Sequence, residues 1–549
     1  MEIILYLLEK FYGEEQITTL LLLLVTLLIN LFQINGVSFI TARIVEGVEK
    51  SKFPEVFFNY KLFVGISVLA VLLYHAYRVL QNKLLTKLKN WVRQEILRLI
   101  LAANNESLDQ INFMELSAPT QRTGAAVYLV FNSFFSSLLP NLSFLLMISL
   151  YFIYTNPLFG IIFLLANFVI IYYFYYYWTQ MMDAKKEYEA GYSKNESDLL
   201  DIFNNMEKII YRGESTNEID KFTERTADTI DKTLGFATLS NNHVLNMVIY
   251  SHVILFLSIL YILTLRQGNK LEKTMFISFF TVLLLYRDRA GSSIQSIPDY
   301  IDYIGRADYV MHVFNSMIER VKTREKQVYK EVDLEFNNIK FENVSFKYKA
   351  SDKVLFDKLN ISVKTDNKII GITGLSGNGK STFTKMMLKL YDYEGEIYID
   401  GVNIRELDNV YIRKNITYVN QNSKLFDKKV IENILYACNN PEKCNNHLNE
   451  ILRYPKIAQL YRNVDLHNKQ SGSLGENLSG GQRQIINIIS GLINPSKILI
   501  LDEPTNALDP ELKKELLGLI KDFKKYRKCI MIITHDKDVY SLFDETIHI

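Results

Sequence analysis

The chain has 549 residues, 48% of them hydrophobic, so it is long enough to form more than one core and we expect at least two domains. Lysine and arginine exceed aspartate and glutamate by only two, 62 against 60, which argues against nucleic acid as the main partner. Three cysteines cannot form a disulfide framework, and Cys438 and Cys444, with His447 nearby, lack the further ligands of a zinc site.

Long apolar segments fill the first three hundred residues. Residues 17–40 contain no Asp, Glu, Lys, Arg or His, and these 24 residues are enough for a helix that crosses a bilayer, because each adds about 1.5 Å to a path of about 30 Å. Similar stretches predict an all-α, six-helix transmembrane domain over residues 1–318. The predicted spans are residues 17–40, 60–80, 125–154, 157–178, 244–265 and 274–294.

The segments between the predicted spans differ in length and charge. Residues 81–124 and 179–243 are long and hold six and eight Lys or Arg, so the positive-inside rule places them in the cytosol. With six spans, both termini are then expected to be cytoplasmic. The aromatic residues at 172–178 fit an interfacial belt, with stacking on a substrate as the alternative.

Three charged residues, Arg287, Asp288 and Arg289, follow the apolar part of the sixth predicted span. Exposure of charge to lipid is costly, so we expect this cluster to face the protein interior. Selection of a charged substrate, a structural ion pair and snorkelling to the interface are the alternative roles.

Beyond residue 318 the pattern changes. Residues 319–333 are charged, contain neither Gly nor Pro, and predict a linker. Residues 334–549 then alternate short β-branched strands with helices, which predicts an α/β domain with a parallel sheet. The clearest of these segments are strands at 368–373, 498–501 and 529–534 and a helix at 380–390.

A glycine-rich loop follows the strand at 368–373 and matches the pattern G-x-x-x-x-G-K-[ST] in its strand-loop-helix context. In such a loop the backbone N–H groups and the helix N-terminus bind phosphates, Lys380 supplies a positive charge and Ser381 offers a hydroxyl to Mg²⁺. The sequence therefore predicts a P-loop NTPase domain. Its predicted phosphate-binding residues are Gly374, Ser376, Gly377, Asn378, Gly379, Lys380, Ser381 and Thr382.

Two further strands end in residues suited to hydrolysis. Asp502 follows an apolar strand and suits Mg²⁺, while Glu503, the next residue, points differently and suits a general base that accepts a proton from the attacking water. His535 follows the last strand, within expected reach of a γ-phosphate, with a solvent-facing cap as the alternative.

Residues 478–482, Leu-Ser-Gly-Gly-Gln, complete a set of motifs that resembles an ATP-binding cassette. The whole chain resembles an exporter-type half-transporter of that family. The resemblance implies that Tyr348 stacks on adenine and that Gln421 contacts Mg²⁺ and takes part in catalysis. It also implies that the signature residues bind ATP held by a second subunit, with Ser479 and Gly481 at the γ-phosphate. These signature residues are Ser479, Gly480, Gly481 and Gln482.

The same resemblance implies short coupling helices within residues 108–118 and 209–218. Three departures from the family pattern are present. Ser473 stands where exporters usually carry Glu, and Asn506 stands where Ser is common. Similar cassettes also continue past the position of Ile549, so the last sheet element is expected to be short.

Together these features imply a membrane-embedded ATPase that uses ATP and Mg²⁺ to export or flip a hydrophobic or amphipathic substrate across a lipid bilayer. One chain carries one phosphate loop and one signature, so a dimer is implied, with a homodimer as the simplest assembly. A heterodimer with a different half-transporter and an ATP-gated channel on the same scaffold are the alternatives.

Overall fold

The computed structural model describes residues 2–103, 113–325, 328–348, 353–421, 424–438, 440–462, 466–506 and 508–549. The chain divides into a helical unit, residues 1–100 and 112–319, and a second unit that consists mainly of residues 320–549. The helices of the first part are α1 (Glu2–Glu14), α2 (Gln16–Leu31), α3 (Ser38–Glu49), α4 (Phe53–Ala103), α5 (Phe113–Ser133), α6 (Leu139–Thr155), α7 (Pro157–Asn204), α8 (Met206–Arg212), α9 (Ser215–Gln267), α10 (Lys273–Gln295) and α11 (Ile297–Glu325).

Four helical stretches of the described chain are long and apolar enough to cross a membrane. They are Phe53–Ala103, Arg122–Thr155, Pro157–Asn204 and Ser215–Gln267. The first predicted span is also helical, as α2 followed by a π-helical turn and α3, and the sixth is α10. As membrane crossings these two stay predictions, because α2 alone is short and α10 carries the charges at 287–289.

The predicted long loops are largely helix. Helices α4, α7 and α9 have 51, 48 and 53 residues, far more than the roughly 20 that a bilayer requires, so each continues well beyond its apolar part. One expected coupling helix, at 209–218, falls on the end of the short helix α8 and the start of α9. The other lies partly outside the described residues, at 108–112, and its remainder begins α5.

The charged cluster on α10 is split between two environments. Arg287 and Asp288 form an ion pair, at 2.9 Å between Nη2 and Oδ1, and their side chains are 51% and 66% exposed in this chain. Arg289 is half-buried, with its guanidinium 5.8 Å from the centre of the Phe144 ring. The prediction that all three face the interior is wrong for Arg287 and Asp288, because successive residues of a helix point about 100° apart.

A buried ion-pair network joins α7 to α11 outside the predicted spans. Lys185 is fully buried, and its ammonium lies 2.8 Å from a carboxylate oxygen of Glu189 and 2.5 Å from one of Asp302. Arg122 and Arg306 approach the same Glu189 carboxylate at 3.5 and 3.8 Å. Lys185 is therefore the central cation of a network that holds three helices together.

Replacing Lys185 by Ala is expected to destabilise the helical unit by about 3–5 kcal/mol, because Glu189 and Asp302 lose the cation that lies closest to both. Lys186→Ala is the matched control, since that side chain is half-exposed and 3.9 Å from Asp183. The measurement is the thermal unfolding midpoint of the purified protein in detergent. Equal midpoints for the two variants would contradict the assigned role.

The second part of the chain contains two sheets and seven helices among its described residues. The strands are β1 (Asn338–Lys347), β2 (Val354–Lys364), β3 (Lys368–Thr373), β4 (Glu394–Ile399), β5 (Val402–Asn403), β6 (Ile416–Val419), β7 (Ile498–Asp502), β8 (Cys529–Ile533) and β9 (Glu545–His548). The helices are α12 (Lys380–Met387), α13 (Asn409–Asn415), α14 (Val430–Ile434), α15 (Pro441–Ile451), α16 (Pro455–Arg462), α17 (Gly480–Ile493) and α18 (Pro510–Phe523).

The predicted parallel sheet is confirmed, with strand order β6-β7-β8-β3-β9. Strands β7 and β8 are completely buried, as their continuous apolar sequences indicate. A second, antiparallel sheet of order β2-β1-β4-β5 was not predicted. The expected fold class, a helical region with apolar helices followed by an α/β cassette, is therefore confirmed, with this added sheet.

The structure contains a disulfide that the sequence analysis did not predict. Cys438 and Cys444 form a disulfide, and Cys529 is a buried thiol. Among the described residues, no three or more His, Cys, Asp or Glu side chains are placed to hold a metal ion together.

Candidate functional site: the phosphate-loop pocket

Three parallel strands bring distant parts of the chain to one edge of the sheet. Strands β3, β8 and β7 are neighbours, with Ile372 paired to Ile533 and Ile533 paired to Asp502. The residues that follow these strands therefore lie together at their carboxyl ends. They line a pocket of about 370 Å³. Its lining residues include Tyr348, Ser376, Gly377, Gly379, Lys380, Ser381, Thr382, Gln421, Asp502, Glu503 and His535.

The loop at 374–379 depends on glycine for its backbone path. Gly377 and Gly379 have φ values of 85° and 94°, in the region that residues with a side chain rarely adopt. A Cβ at Gly379 would also lie 2.6 Å from the Phe356 ring. Lys380, the first residue of α12, is mostly buried, and its ammonium donates hydrogen bonds of 3.0 Å to the carbonyl oxygens of Gly374 and Leu375.

Two predicted phosphate-binding residues lie beside the pocket and are not part of its lining. Gly374 has a φ of 146°, and a Cβ there would lie 2.1 Å from the carbonyl oxygen of Ile549. The Asn378 amide donates a 3.3 Å hydrogen bond to that same oxygen. In this chain both residues therefore contact the strand β9 side of the sheet.

Glu503 is held in one orientation by its neighbours. One carboxylate oxygen lies 2.7 Å from Nδ1 of His535, and the other accepts a 3.3 Å hydrogen bond from the Thr534 hydroxyl. Its φ is 49°, in the left-handed region that residues with a side chain rarely adopt, and its N–H donates to the carbonyl of Ile533. The Glu503 side chain is 10% exposed and that of His535 is 69% exposed, so the pair sits at the pocket mouth.

Tyr418 is a site residue whose role the sequence analysis missed. Its hydroxyl, on β6, donates a 2.5 Å hydrogen bond to Oδ2 of Asp502, which is 4% exposed. Burial, together with the neighbouring Asp502 carboxylate, raises the pKa of Tyr418 above its usual value, so the hydroxyl stays protonated. Tyr418 thus fixes the orientation of the carboxylate that was predicted to bind Mg²⁺.

Tyr418→Phe is expected to weaken divalent-cation binding by about tenfold or more, the usual cost of losing a partner that orients a metal ligand. The measurement is Mn²⁺ binding by electron paramagnetic resonance, in the presence of a non-hydrolysable ATP analogue. Tyr540→Phe, at a side chain that is 41% exposed, is the control. Unchanged Mn²⁺ affinity in Tyr418→Phe would show that the hydrogen bond does not position Asp502.

Tyr348 and Gln421, implied by resemblance alone, also reach the pocket. The Tyr348 hydroxyl lies 2.5 Å from that of Thr382, and its ring packs edge-on against Phe346 and Tyr391. Gln421 is exposed at the pocket wall. An aromatic ring and an amide therefore line the same pocket as the phosphate loop.

The signature residues form a separate structure. Ser479 caps α17: its hydroxyl accepts a 3.3 Å hydrogen bond from the N–H of Gln482, whose side-chain oxygen accepts a 3.0 Å bond from the N–H of Ser479. Ser479 and Gly480 are exposed, and Gly481 is half-buried. None of the described signature residues lines the phosphate-loop pocket of this chain.

The residues of this pocket fit a nucleotide with a divalent cation. The Lys380 ammonium, the hydroxyls of Ser381 and Thr382, and the carboxylates of Asp502 and Glu503 all belong to residues that line it. The ammonium and the hydroxyls suit phosphate groups. Two adjacent carboxylates lie favourably near phosphate only when a cation or a proton lies between them.

Comparison with known proteins agrees with this chemistry. Residues 356–506 match the family model described as ABC transporter. Over 212 residues, 38% of this chain and 35% of the relative, the sequence is 34% identical to an ATP-dependent lipid A-core flippase of Haemophilus influenzae. Over 200 residues, 36% of this chain and 27% of the relative, it is 36% identical to an alpha-hemolysin translocation ATP-binding protein of Escherichia coli O6:H1. The matched segment thus spans about a third or less of these two relatives.

The whole-chain fold matches a solved structure of a bacterial Atm1-family ABC exporter with ATP bound, with a TM-score of 0.76 at 16% identity, over 96% of this chain and 93% of that one. The family-model match lies in the second part of the chain, and the fold match also includes the apolar helices. The match at residues 356–506 therefore identifies an ABC transporter ATPase domain in this chain, and the whole chain has the fold of an exporter-type half-transporter, in which apolar helices precede one cassette.

Proposed function

We propose that this chain is one half of a dimeric, ATP-driven pump that exports or flips a hydrophobic or amphipathic substrate. The observation that carries the proposal is the grouping of Lys380, Asp502, Glu503 and His535 around one pocket. The same chain contributes four helical stretches that are long and apolar enough to cross a bilayer. In this proposal the protein is a multi-pass membrane protein with its cassette and both termini in the cytoplasm.

Each pocket residue takes one role. Lys380 and the loop bind the β- and γ-phosphates, and the Tyr348 ring stacks on adenine. Mg²⁺, when held by Ser381, Gln421 and Asp502, would neutralise charge on the phosphates. Glu503 accepts the proton of the attacking water, and its 2.7 Å contact with His535 keeps the carboxylate aimed into the pocket.

A second chain is proposed because the signature lies apart from the pocket. Ser479 is exposed at the N-terminus of α17, where N–H groups favour an anion, yet it does not line the phosphate site of its own chain. It is therefore available to a phosphate held by another cassette. A homodimer supplies two such shared sites, and closure of the two cassettes on ATP would drive the membrane helices between conformations.

The substrate class is proposed from the relatives. One relative is named an ATP-dependent lipid A-core flippase and the other an alpha-hemolysin translocation ATP-binding protein. The test is ATP hydrolysis by the purified protein in lipid nanodiscs, with a panel of lipids, peptides and drugs, followed by ATP-dependent movement of any stimulating compound in proteoliposomes.

A substrate is expected to raise ATP turnover and to move only when ATP is present, with Lys380→Ala as the inactive control. Loss of all ATP-dependent movement despite active hydrolysis would contradict the pump. An ATP-dependent single-channel current without accumulation would instead support the channel alternative.

A further inference from the structure

A hydroxyl behind the pair Glu503 and His535 connects the segments that follow β7 and β8. Thr534 is fully buried, and its hydroxyl donates a 3.3 Å hydrogen bond to Glu503 while it accepts a 3.0 Å bond from the N–H of Asp536. A hydroxyl has one proton and two lone pairs, so it can serve both partners at once. The main chain at Asp536 is therefore linked through one side chain to the Glu503 carboxylate.

The Asp536 carboxylate uses its two oxygens for different segments of the chain. Oδ1 accepts a 3.1 Å hydrogen bond from the N–H of Asp538 and so caps the 3₁₀ turn Lys537–Leu542. Oδ2 accepts a 2.9 Å bond from the Thr505 hydroxyl and lies 2.6 Å from the Lys513 ammonium. Asp536 does not line the phosphate-loop pocket. Its second oxygen is thus bound by residues that the cap does not need.

The bonds at Oδ2 join three parts of the chain around the proposed site. Thr505 follows Glu503 by two residues and is 6% exposed, and Lys513 lies on α18. Burial alone would raise the pKa of the Asp536 carboxyl, but its bonds with Lys513 and Thr505 hold the pKa below its usual value, so the group stays ionised at neutral pH. An ionised carboxylate only accepts hydrogen bonds, which suits the donors around it.

His535 depends on its main chain for its direction. Its side chain is 69% exposed, so little packing surrounds the ring, and Nδ1 lies 2.7 Å from a carboxylate oxygen of Glu503. Both of its neighbours in the chain are held, Thr534 by burial and its bond to Glu503, and Asp536 by the bonds at Oδ2. The segments that carry the pair are therefore held next to each other by Asp536.

We infer that Asp536 is a positioning residue for ATP hydrolysis, because it holds the segment of His535 against the segment of Glu503. The inference rests on the proposed function for the role of Glu503 as the base. It predicts that loss of the contacts at Oδ2 slows hydrolysis. ATP binding should stay nearly unchanged, since Lys380 and Ser381 lie on the separate loop and helix that follow β3.

Asp536→Asn is the test substitution, because Asn caps a helical turn as well as Asp does and has nearly the same shape. Its single oxygen can keep the cap, and its NH₂ group then faces the Lys513 ammonium in place of a carboxylate oxygen. In the purified full chain in lipid nanodiscs, the turnover number for ATP is expected to fall about 10- to 100-fold, because a displacement of about 1 Å at reacting groups can cost that much. The Kd for fluorescent ATP should change by less than about twofold.

Asp538→Asn is the matched control. It makes the same chemical change two residues away, at a carboxylate that contacts the same Lys513 ammonium at 2.5 Å and is 74% exposed. The bond that Asp538 donates to Asp536 comes from its main chain, which the substitution keeps. Asp538→Asn should therefore hydrolyse ATP at the parent rate. A loss equal to that of Asp536→Asn would assign the effect to the charge balance at Lys513 and overturn the inference.

Thr505→Val gives an independent test that holds even if Asp536→Asn fails to fold, so the unfolding midpoint of each variant is compared first. Valine has nearly the shape of threonine and lacks the hydroxyl that donates to Asp536. Turnover should fall about threefold or more, and Thr505→Ser, which keeps the hydroxyl, should retain most of the parent rate. Parent turnover in folded Asp536→Asn or in Thr505→Val, or equal losses in the two Thr505 variants, would overturn the inference.

A double substitution separates this inference from the proposed base. If Asp536 acts through Glu503, adding Asp536→Asn to Glu503→Gln should lower the residual turnover by less than about twofold. A further loss of about tenfold would show that Asp536 acts independently of Glu503, and would overturn the inference. Parent turnover in Glu503→Gln alone would contradict the proposed base and this inference together. Loss in that variant beside parent turnover in Asp536→Asn would contradict this inference alone.

Discussion

Glu503→Gln is expected to lose multiple-turnover ATP hydrolysis by about 10²- to 10⁴-fold while ATP binding is kept, because the amide has the shape of the carboxylate and cannot accept the proton of water. Thr534 and His535 would still contact the side chain, so the pocket should keep its form. ATPase activity and binding of fluorescent ATP, measured on the same preparation, separate the two effects.

The control for this substitution is Glu511→Gln, which makes the same chemical change at a side chain that is 70% exposed on α18. It should hydrolyse ATP at the parent rate. If Glu503→Gln hydrolysed ATP at the parent rate, Glu503 would not be the base. Loss of ATP binding in the same variant would show that the carboxylate serves the pocket's structure.

The grouping of the candidate site residues at one edge of the sheet could be predicted because its parts are short and contiguous. The phosphate loop follows β3 directly, and Asp502 and His535 stand at or just after the ends of the buried strands β7 and β8. Parallel strands in one sheet align their carboxyl ends, so adjacency in space followed from apolar runs that end in polar residues. No long-range contact had to be known in advance.

Contacts between residues that are far apart in the sequence could not be predicted in this way. Tyr418 and Asp502 are 84 residues apart, and a tyrosine at the end of a strand is usually a packing residue. Arg527 is 94% buried, and its guanidinium donates to main-chain carbonyls at the end of α17, among them those of Ser496 and Leu492. Burial lowers the pKa of Arg527 to about 10. A lone arginine before a strand predicts none of this.

The charged cluster on α10 shows why the direction of a side chain could not be predicted from the sequence. Sequence located the charges in an otherwise apolar helix, but the phase of that helix depends on which neighbours it packs against. Tyr286 faces inward to Asn167, and a step of about 100° per residue then separates the surface pair at 287–288 from Arg289. Only the packed structure distinguishes the half-buried side chain from the two on the surface.

The proposed dimer predicts how ATPase activity depends on which subunit carries each of two substitutions, here called lesions. Each shared site would combine Lys380 of one subunit with Ser479 of the other. Lys380→Ala in one subunit and Ser479→Arg in its partner place both lesions in the same site and leave one site intact. Both substitutions in one subunit, beside an unmodified partner, place one lesion in each site and leave neither intact.

The first arrangement is therefore expected to retain a substantial part of the parent ATPase activity. The second should fall about 10²-fold, the usual loss when a positioned charge or donor is removed or blocked. The measurement is ATP hydrolysis by purified dimers selected through a different tag on each subunit. Ser479→Arg also removes the cap of α17, worth about 1 kcal/mol, so the unfolding midpoint of each dimer is compared first.

The two arrangements contain the same substitutions, the same number of mutated residues and the same lost cap, so any general loss of stability affects both alike. Only the assignment of lesions to sites differs between them. Higher activity in the first arrangement can then arise only if groups from two chains act on one nucleotide, because sites built within single chains would make the second arrangement the more active one. Equal activity would mean that each cassette hydrolyses ATP alone, and the exposed Ser479 would need a role other than binding the partner's phosphate.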